Sequence, residues 1–170
     1  MPEHADIAAT ASLIAEPAQA LEHLAGVGGS TPVRRPPLGK QARSLRFARC
    51  CYDHLAGQLG VAVAQALQRH GYVVAQPGKR CGITPAGEHW FSGMGLDVRT
   101  LRPTRNGLAR LCLDWTERTH HVGGPLGVAM LAAFCERGWL RRTPGSRAVT
   151  LTPPGRIALR EQLGVEVEDR

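Results

Sequence analysis

L-G-V-A-V-A-Q-A-L-Q-R-H-G-Y-V at residues 59–73 and L-G-V-A-M-L-A-A-F-C-E-R-G-W-L at residues 126–140 read as two versions of one stretch, and that kinship decides the fold. Leu59 matches Leu126 and Gly71 matches Gly138 at an offset of 67. Downstream, I-T-P-A-G at 83–87 matches L-T-P-P-G at 151–155 at an offset of 68, and upstream Cys51-Tyr52-Asp53 matches Cys112-Leu113-Asp114 at an offset of 61. The second copy therefore gains six residues before its helix and one within its hairpin. Two copies of this length imply a duplicated supersecondary unit rather than a solenoid, whose repeats are shorter and more numerous.

Each copy carries its own punctuation. A helix from Gln58 to His70 stops at Gly71, after which Y-V-V-A-Q-P-G-K-R-C-G-I-T supplies two short strands around Pro77-Gly78. Thr84 then caps a helix that has Pro85 at its first position. In the second copy W-L-R-R and R-A-V-T-L flank T-P-G-S, and Thr152-Pro153 opens the last helix. Upstream of the first copy, Ser44 offers a cap, and Leu45, Phe47, Ala48, Cys51, Tyr52 and Leu55 fall on one apolar stripe ending at Gly57. That spacing predicts a lead helix, so each unit is expected to run α-α-β-β-α, the order of a winged helix with the hairpin as wing. The expected class is α+β, mainly helical, with two winged-helix-like units related by internal duplication.

The expected organisation is an N-terminal helix within 1–25, a basic Gly/Pro linker over 26–43, unit 1 over 44–97, a second basic linker over 98–105, unit 2 over 106–165 and a tail at 166–170. With 170 residues, 43% of them hydrophobic, the chain can bury one good core or two small ones, and no apolar run approaches a membrane span. No basic cluster precedes an apolar stretch at the N-terminus, and the five cysteines have no framework spacing. Both features predict a soluble, cytoplasmic protein with reduced thiols.

The net charge of +7 is unevenly placed. No acidic residue lies between Glu22 and Asp53, a window that holds Arg43 and Arg46, and none lies between Asp97 and Asp114. Arginines clustered in this way attract polyanions through counterion release without reading sequence. On the wings, Lys79, Arg80, Arg141, Arg142 and Arg147 are placed for phosphate contact. Base reading is another matter, because the helix before a wing must put polar side chains into the major groove. The second such helix is apolar until Glu136, and the first is centred on Val61, Ala62, Val63 and Ala64. Both are expected to be core.

The ordered motifs C-Y-D-H-L-A-G-Q-L-G-V-A, I-T-P-A-G, C-L-D-W-T-E-R and L-T-P-P-G make residues 43–165 resemble the long C-terminal part of a subgroup of ArsR/SmtB-type transcriptional regulators. The opening A-D-I-A-A-T-A-S-L-I-A-E-P-A also resembles the first helix of that family. After Pro17-Ala18, however, the chain passes to Q-A-L-E-H-L-A, which resembles the helix after the family's wing, and nothing between resembles a recognition helix. The resemblance implies a homodimeric transcriptional regulator. The departure implies DNA contact that is weak or non-specific. A protein-interaction or dimerisation module derived from such a regulator is the alternative.

Regulators of this family often sense metals or metalloids through thiolates, which directs attention to Cys51, His54, Cys112 and His120. On a lead helix Cys51 and His54 stand at i, i+3, and a pseudo-twofold axis between the lead helices would bring Cys112 with His120 or its neighbour His121 to the same place. The expected ligand is a thiophilic metal or metalloid ion. The competing reading makes Cys51 and Cys112 small hydrophobes on their apolar stripes. No phosphate loop, carboxylate pair or nucleophile signature suggests an enzyme.

Overall fold

The computed structural model describes residues 38–168, so the expected helix within 1–25 and residues 26–37 of the expected linker lie outside it. Lys40–Phe47 forms α1, so the last residues assigned to that linker are helical. Arg49–Cys51 (β1) and His54–Ala56 (β2) lead into Gly57–Arg69 (α2), which is followed by Val73–Gln76 (β3), Arg80–Ile83 (β4) and Pro85–Gly93 (α3). The same order then recurs as Ala109–Leu113 (β5), His120–Gly123 (β6), Gly124–Glu136 (α4), Leu140–Arg142 (β7), Val149–Leu151 (β8) and Pro153–Leu163 (α5).

The class is α+β. With 46% of the described residues helical, it is not clearly mainly helical. The expected lead helices are corrected to hairpins, so the α-α-β-β-α order becomes β-β-α-β-β-α. The apolar stripe from Leu45 is helical only through Phe47, because Ala48 turns extended at φ −149°. The chain then reverses over Tyr52-Asp53, with Tyr52 in the left-handed region at φ 59°, and Cys51 faces His54 across the ladder. In the second hairpin Cys112 faces His121. The six extra residues thus lengthen the β5–β6 turn.

The expected stops and caps of the wings are present. Thr84 accepts from the Gly87 N–H at 3.0 Å and Thr152 from the Gly155 N–H at 3.1 Å, each with proline at the start of the helix. Each wing extends the hairpin of the other run. β4 pairs with β5 through Arg80↔Arg110 and Cys81↔Ala109, making a four-stranded sheet β3-β4-β5-β6. Reciprocally, Arg49 bridges Ala148, and the Cys50 N–H donates to the Arg147 carbonyl at 2.8 Å. The helices cross over in the same way, α2 packing on β6 and α4 on β2.

Both helices that precede the wings are core, as their composition implies. α2 buries Leu59, Val61, Val63, Ala64 and Leu67, and α4 buries Leu126, Met130, Leu131 and Phe134. Complete burial of the valine, leucine, methionine and phenylalanine side chains contributes about 1.5–3 kcal/mol each. Close packing of each helix on its own hairpin depends on glycine. A Cβ on Gly60 would lie 2.7 Å from the Leu55 carbonyl oxygen, and one on Gly127 2.4 Å from that of Val122.

Candidate metal centre

The crossover brings the two hairpins together at one point. Cys51 and His54 come from β1 and β2, Cys112 and His121 from β5 and β6, and one ligand atom from each lies within 4.8 Å of all the others. Three of the four expected residues are therefore gathered. His120 is not among them, and its neighbour His121 stands there instead, for a simple reason: His120 pairs with Leu113 one ladder position further out, so its side chain leaves by the opposite face. The repeat held the signal. His54-x-x-Gly57-x-Leu59-Gly60 recurs as His121-x-x-Gly124-x-Leu126-Gly127 at the same offset of 67 as the helices.

The two imidazoles are buried and oppose each other, Nε2 to Nε2 at 3.1 Å. Two nitrogens bound to one tetrahedral ion at Zn–N of about 2.0–2.1 Å would be separated by about 3.3 Å. Each ring turns its Nδ1 toward the aspartate that follows the cysteine of its own hairpin. His54 Nδ1 lies 3.1 Å from Asp53 Oδ1 and His121 Nδ1 3.5 Å from Asp114 Oδ2. A carboxylate behind the distal nitrogen fixes the ring and the tautomer, a common arrangement behind metal-bound histidine. At 3.5 Å His121 Nδ1 makes no full hydrogen bond, leaving a buried polar atom unsatisfied. Space is reserved for the rings: a Cβ on Gly123 would stand 3.0 Å from His54 Nε2 and 3.3 Å from Cys112 Cβ.

The electrostatics leave His121 a neutral donor. Burial, reinforced by the neighbouring His54, pushes its pKa down from 6.5 to about 4. Burial and the adjacent Cys112 push the Cys51 thiol up. A cation would reverse that tendency by stabilising the thiolate.

Asp114, which spacing alone did not single out, anchors the centre. Oδ1 accepts from Arg49 Nη2 at 2.7 Å, from the Thr116 hydroxyl at 2.7 Å and from the Thr116 N–H at 2.9 Å. Oδ2 accepts from the Gly57 N–H at 2.8 Å, at the start of α2. Burial raises its pKa, but these bonds outweigh burial and hold the carboxyl well below the usual range. Arg49 also donates to the Leu45 carbonyl of α1 at 3.1 Å. Asp114 thus ties together α1, α2 and the second hairpin.

The other candidate residues are dispersed. Arg43 and Arg46 are exposed on α1, and Arg46 pairs with Glu117 at 3.1 Å. Lys79 and Arg80 are exposed on the first wing, Arg141, Arg142 and Arg147 on the second. Two open grooves reach the centre. One of about 740 Å³ is lined by Cys51 with Tyr52, Trp115, Arg46 and Arg147, and one of about 700 Å³ passes His54 with Arg105 and Arg110. An ion therefore has a way in.

The remaining cysteines lie outside the cluster. Cys50 and Cys81 are buried and Cys135 half-buried, and Cys50 points to the face of β1 opposite Cys51. Among the described residues no helix is long and apolar enough to cross a membrane.

One relative in sequence is a transcriptional regulator. The chain is 37% identical over 150 residues to the uncharacterized HTH-type transcriptional regulator YdfF of Bacillus subtilis (strain 168), covering 88% of this chain and 66% of that protein. It thus spans somewhat less than two thirds of that relative's length. Transcriptional regulators are a non-enzymatic class, in agreement with the reading of this chain as not an enzyme. No family model and no solved structure matches the chain.

Proposed function

We propose that the protein is a cytoplasmic, homodimeric transcriptional regulator of the ArsR/SmtB type, and that residues 38–168 form its ligand-sensing half, made of two copies of one unit. The observation that carries this reading is the convergence of Cys51, His54, Cys112 and His121 between the hairpins of the two runs. Their ligand is a thiophilic metal or metalloid ion, and similarity to a named transcriptional regulator supports the regulatory role. In the described unit the helices before the wings are buried, so contact with DNA falls to exposed basic residues, Arg43, Lys79, Arg80, Arg141, Arg142 and Arg147 among them. Such contact is weak or non-specific.

Titration of the reduced chain with zinc and with arsenite tests the sensing role. One ion per chain is expected, with uptake weakened in Cys51→Ser and in Cys112→Ser and lost when both are changed. No uptake of either, or uptake that ignores both substitutions, ends the reading. Light scattering should give twice the chain mass.

A further inference from the structure

We infer that the centre is a four-coordinate site for a divalent ion of the zinc class, assembled from two half-sites, each hairpin supplying one thiolate and one imidazole. The inference rests on the metal-sensing reading and specifies its ligand. Three observations lead to it. First, the donors are two sulfurs and two nitrogens, a set that suits tetrahedral zinc. Second, trivalent arsenic takes thiolates, and only two converge here, since Cys50, Cys81 and Cys135 lie outside the cluster. Third, each half-site is complete: cysteine, then an aspartate two residues on, then a histidine whose Nδ1 faces that aspartate, as Cys51, Asp53 and His54 and as Cys112, Asp114 and His121.

Charge agrees with burial. A divalent cation with two thiolates and two neutral imidazoles sums to zero, so the filled centre carries no net charge into the core. Four protein donors also leave no open coordination position for a reacting water, which separates a structural or sensory centre from a catalytic one. With one half-site on each hairpin, the ion clamps β1–β2 to β5–β6.

Cobalt(II) substitution of the reduced full-length chain tests this. One ion per chain should give the intense visible bands of tetrahedral cobalt with a thiolate-to-metal charge-transfer band. Cys51→Ser and Cys112→Ser should each remove about half of that band per bound cobalt. His121→Asn should alter the visible bands and His120→Asn should leave them unchanged. Zinc should displace the cobalt, and arsenite in equal amount should not. A weak octahedral spectrum, indifference to His121→Asn, or stoichiometric displacement by arsenite overturns the inference while leaving a metal site in place. Failure to take up cobalt, zinc or arsenite defeats the metal reading itself. If the histidine variants do not fold, X-ray absorption of the zinc-loaded wild-type chain supplies the same donor count.

Discussion

His54 and His121 meet Nε2 to Nε2 at 3.1 Å, each backed by the aspartate of its own hairpin. In an apoprotein this is an awkward contact, since two neutral imidazoles can share only one proton along that line and His121 Nδ1 has no full partner. A shared cation bound by both Nε2 atoms resolves the first of these and leaves each Nδ1–H to face its own aspartate. Chelation should therefore lower stability markedly, and one equivalent of zinc should restore it, raising the melting temperature in proportion to RT ln(1 + [L]/Kd).

Asp114→Ala should be among the most damaging single changes. It leaves Arg49 in a largely buried site without its carboxylate and frees the Gly57 N–H at the start of α2. Removing one partner of a buried pair costs about 3–5 kcal/mol. The exposed Asp97–Arg99 pair serves as control, and Asp97→Asn should change stability far less than Asp114→Ala. Urea denaturation of the metal-free chain measures both.

Mild acid should weaken the metal-free protein. His121 titrates near 4 when folded and near its ordinary 6.5 when unfolded, so between these values the unfolded chain holds a proton that the folded chain does not. Lowering the pH through that window therefore favours unfolding, by up to about 3 kcal/mol. Asp114, held below the usual carboxylate range, adds its own loss only at still lower pH. Stability measured at pH 7 and pH 5 in chelator should show the fall in wild type, and His121→Asn should reduce it.

Gly127→Ala should cost more than Gly71→Ala. The added methyl at 127 would meet the Val122 carbonyl oxygen at 2.4 Å and His54 Cβ at 3.2 Å, whereas at 71 there is open space and only the left-handed φ of 67° opposes it. Expected losses are about 1–3 kcal/mol or more for the first and about 1 for the second. Because Gly127 borders His54, its substitution should also weaken ion binding.

The wing basic residues should act on DNA through phosphate alone. If Arg141, Arg142 and Arg147 each contact one phosphate, each change to Ala should lower the salt slope of binding by about one, equally for all sequences. Fluorescence anisotropy on promoter and scrambled duplexes checks this, and nanomolar, sequence-dependent binding would show a reading head.

Much of the fold was legible because glycine, proline and threonine mark it: Gly71 and Gly138 end α2 and α4, and Thr84-Pro85 and Thr152-Pro153 open the helices after the wings. The first hairpin was not. Phe47, Ala48, Cys50 and Leu55 are all buried, and a dense apolar run fits a helical stripe as readily as two three-residue strands, which are too short to show alternation. Reading that hairpin as a helix placed Cys51 and His54 one turn apart instead of across a ladder. Both geometries bring them together, so the pairing survived the wrong element. His121 was obscured by its neighbour His120 and by the longer β5–β6 turn, since only the offset counted from the helix, not from the cysteine, selects it. Asp114 was visible as the aspartate of the repeated Cys-x-Asp, but its anchoring role was not, because it depends on Arg49 and the Gly57 N–H, 65 and 57 residues away, which no local spacing shows.

Zinc-edge X-ray absorption of the loaded wild-type chain addresses the centre most directly, because it counts donors without altering a residue. Two sulfurs at about 2.3 Å and two imidazole nitrogens at about 2.0–2.1 Å are expected. A shell of oxygen and nitrogen alone, or one with three or more sulfurs, would contradict the assignment of Cys51, His54, Cys112 and His121.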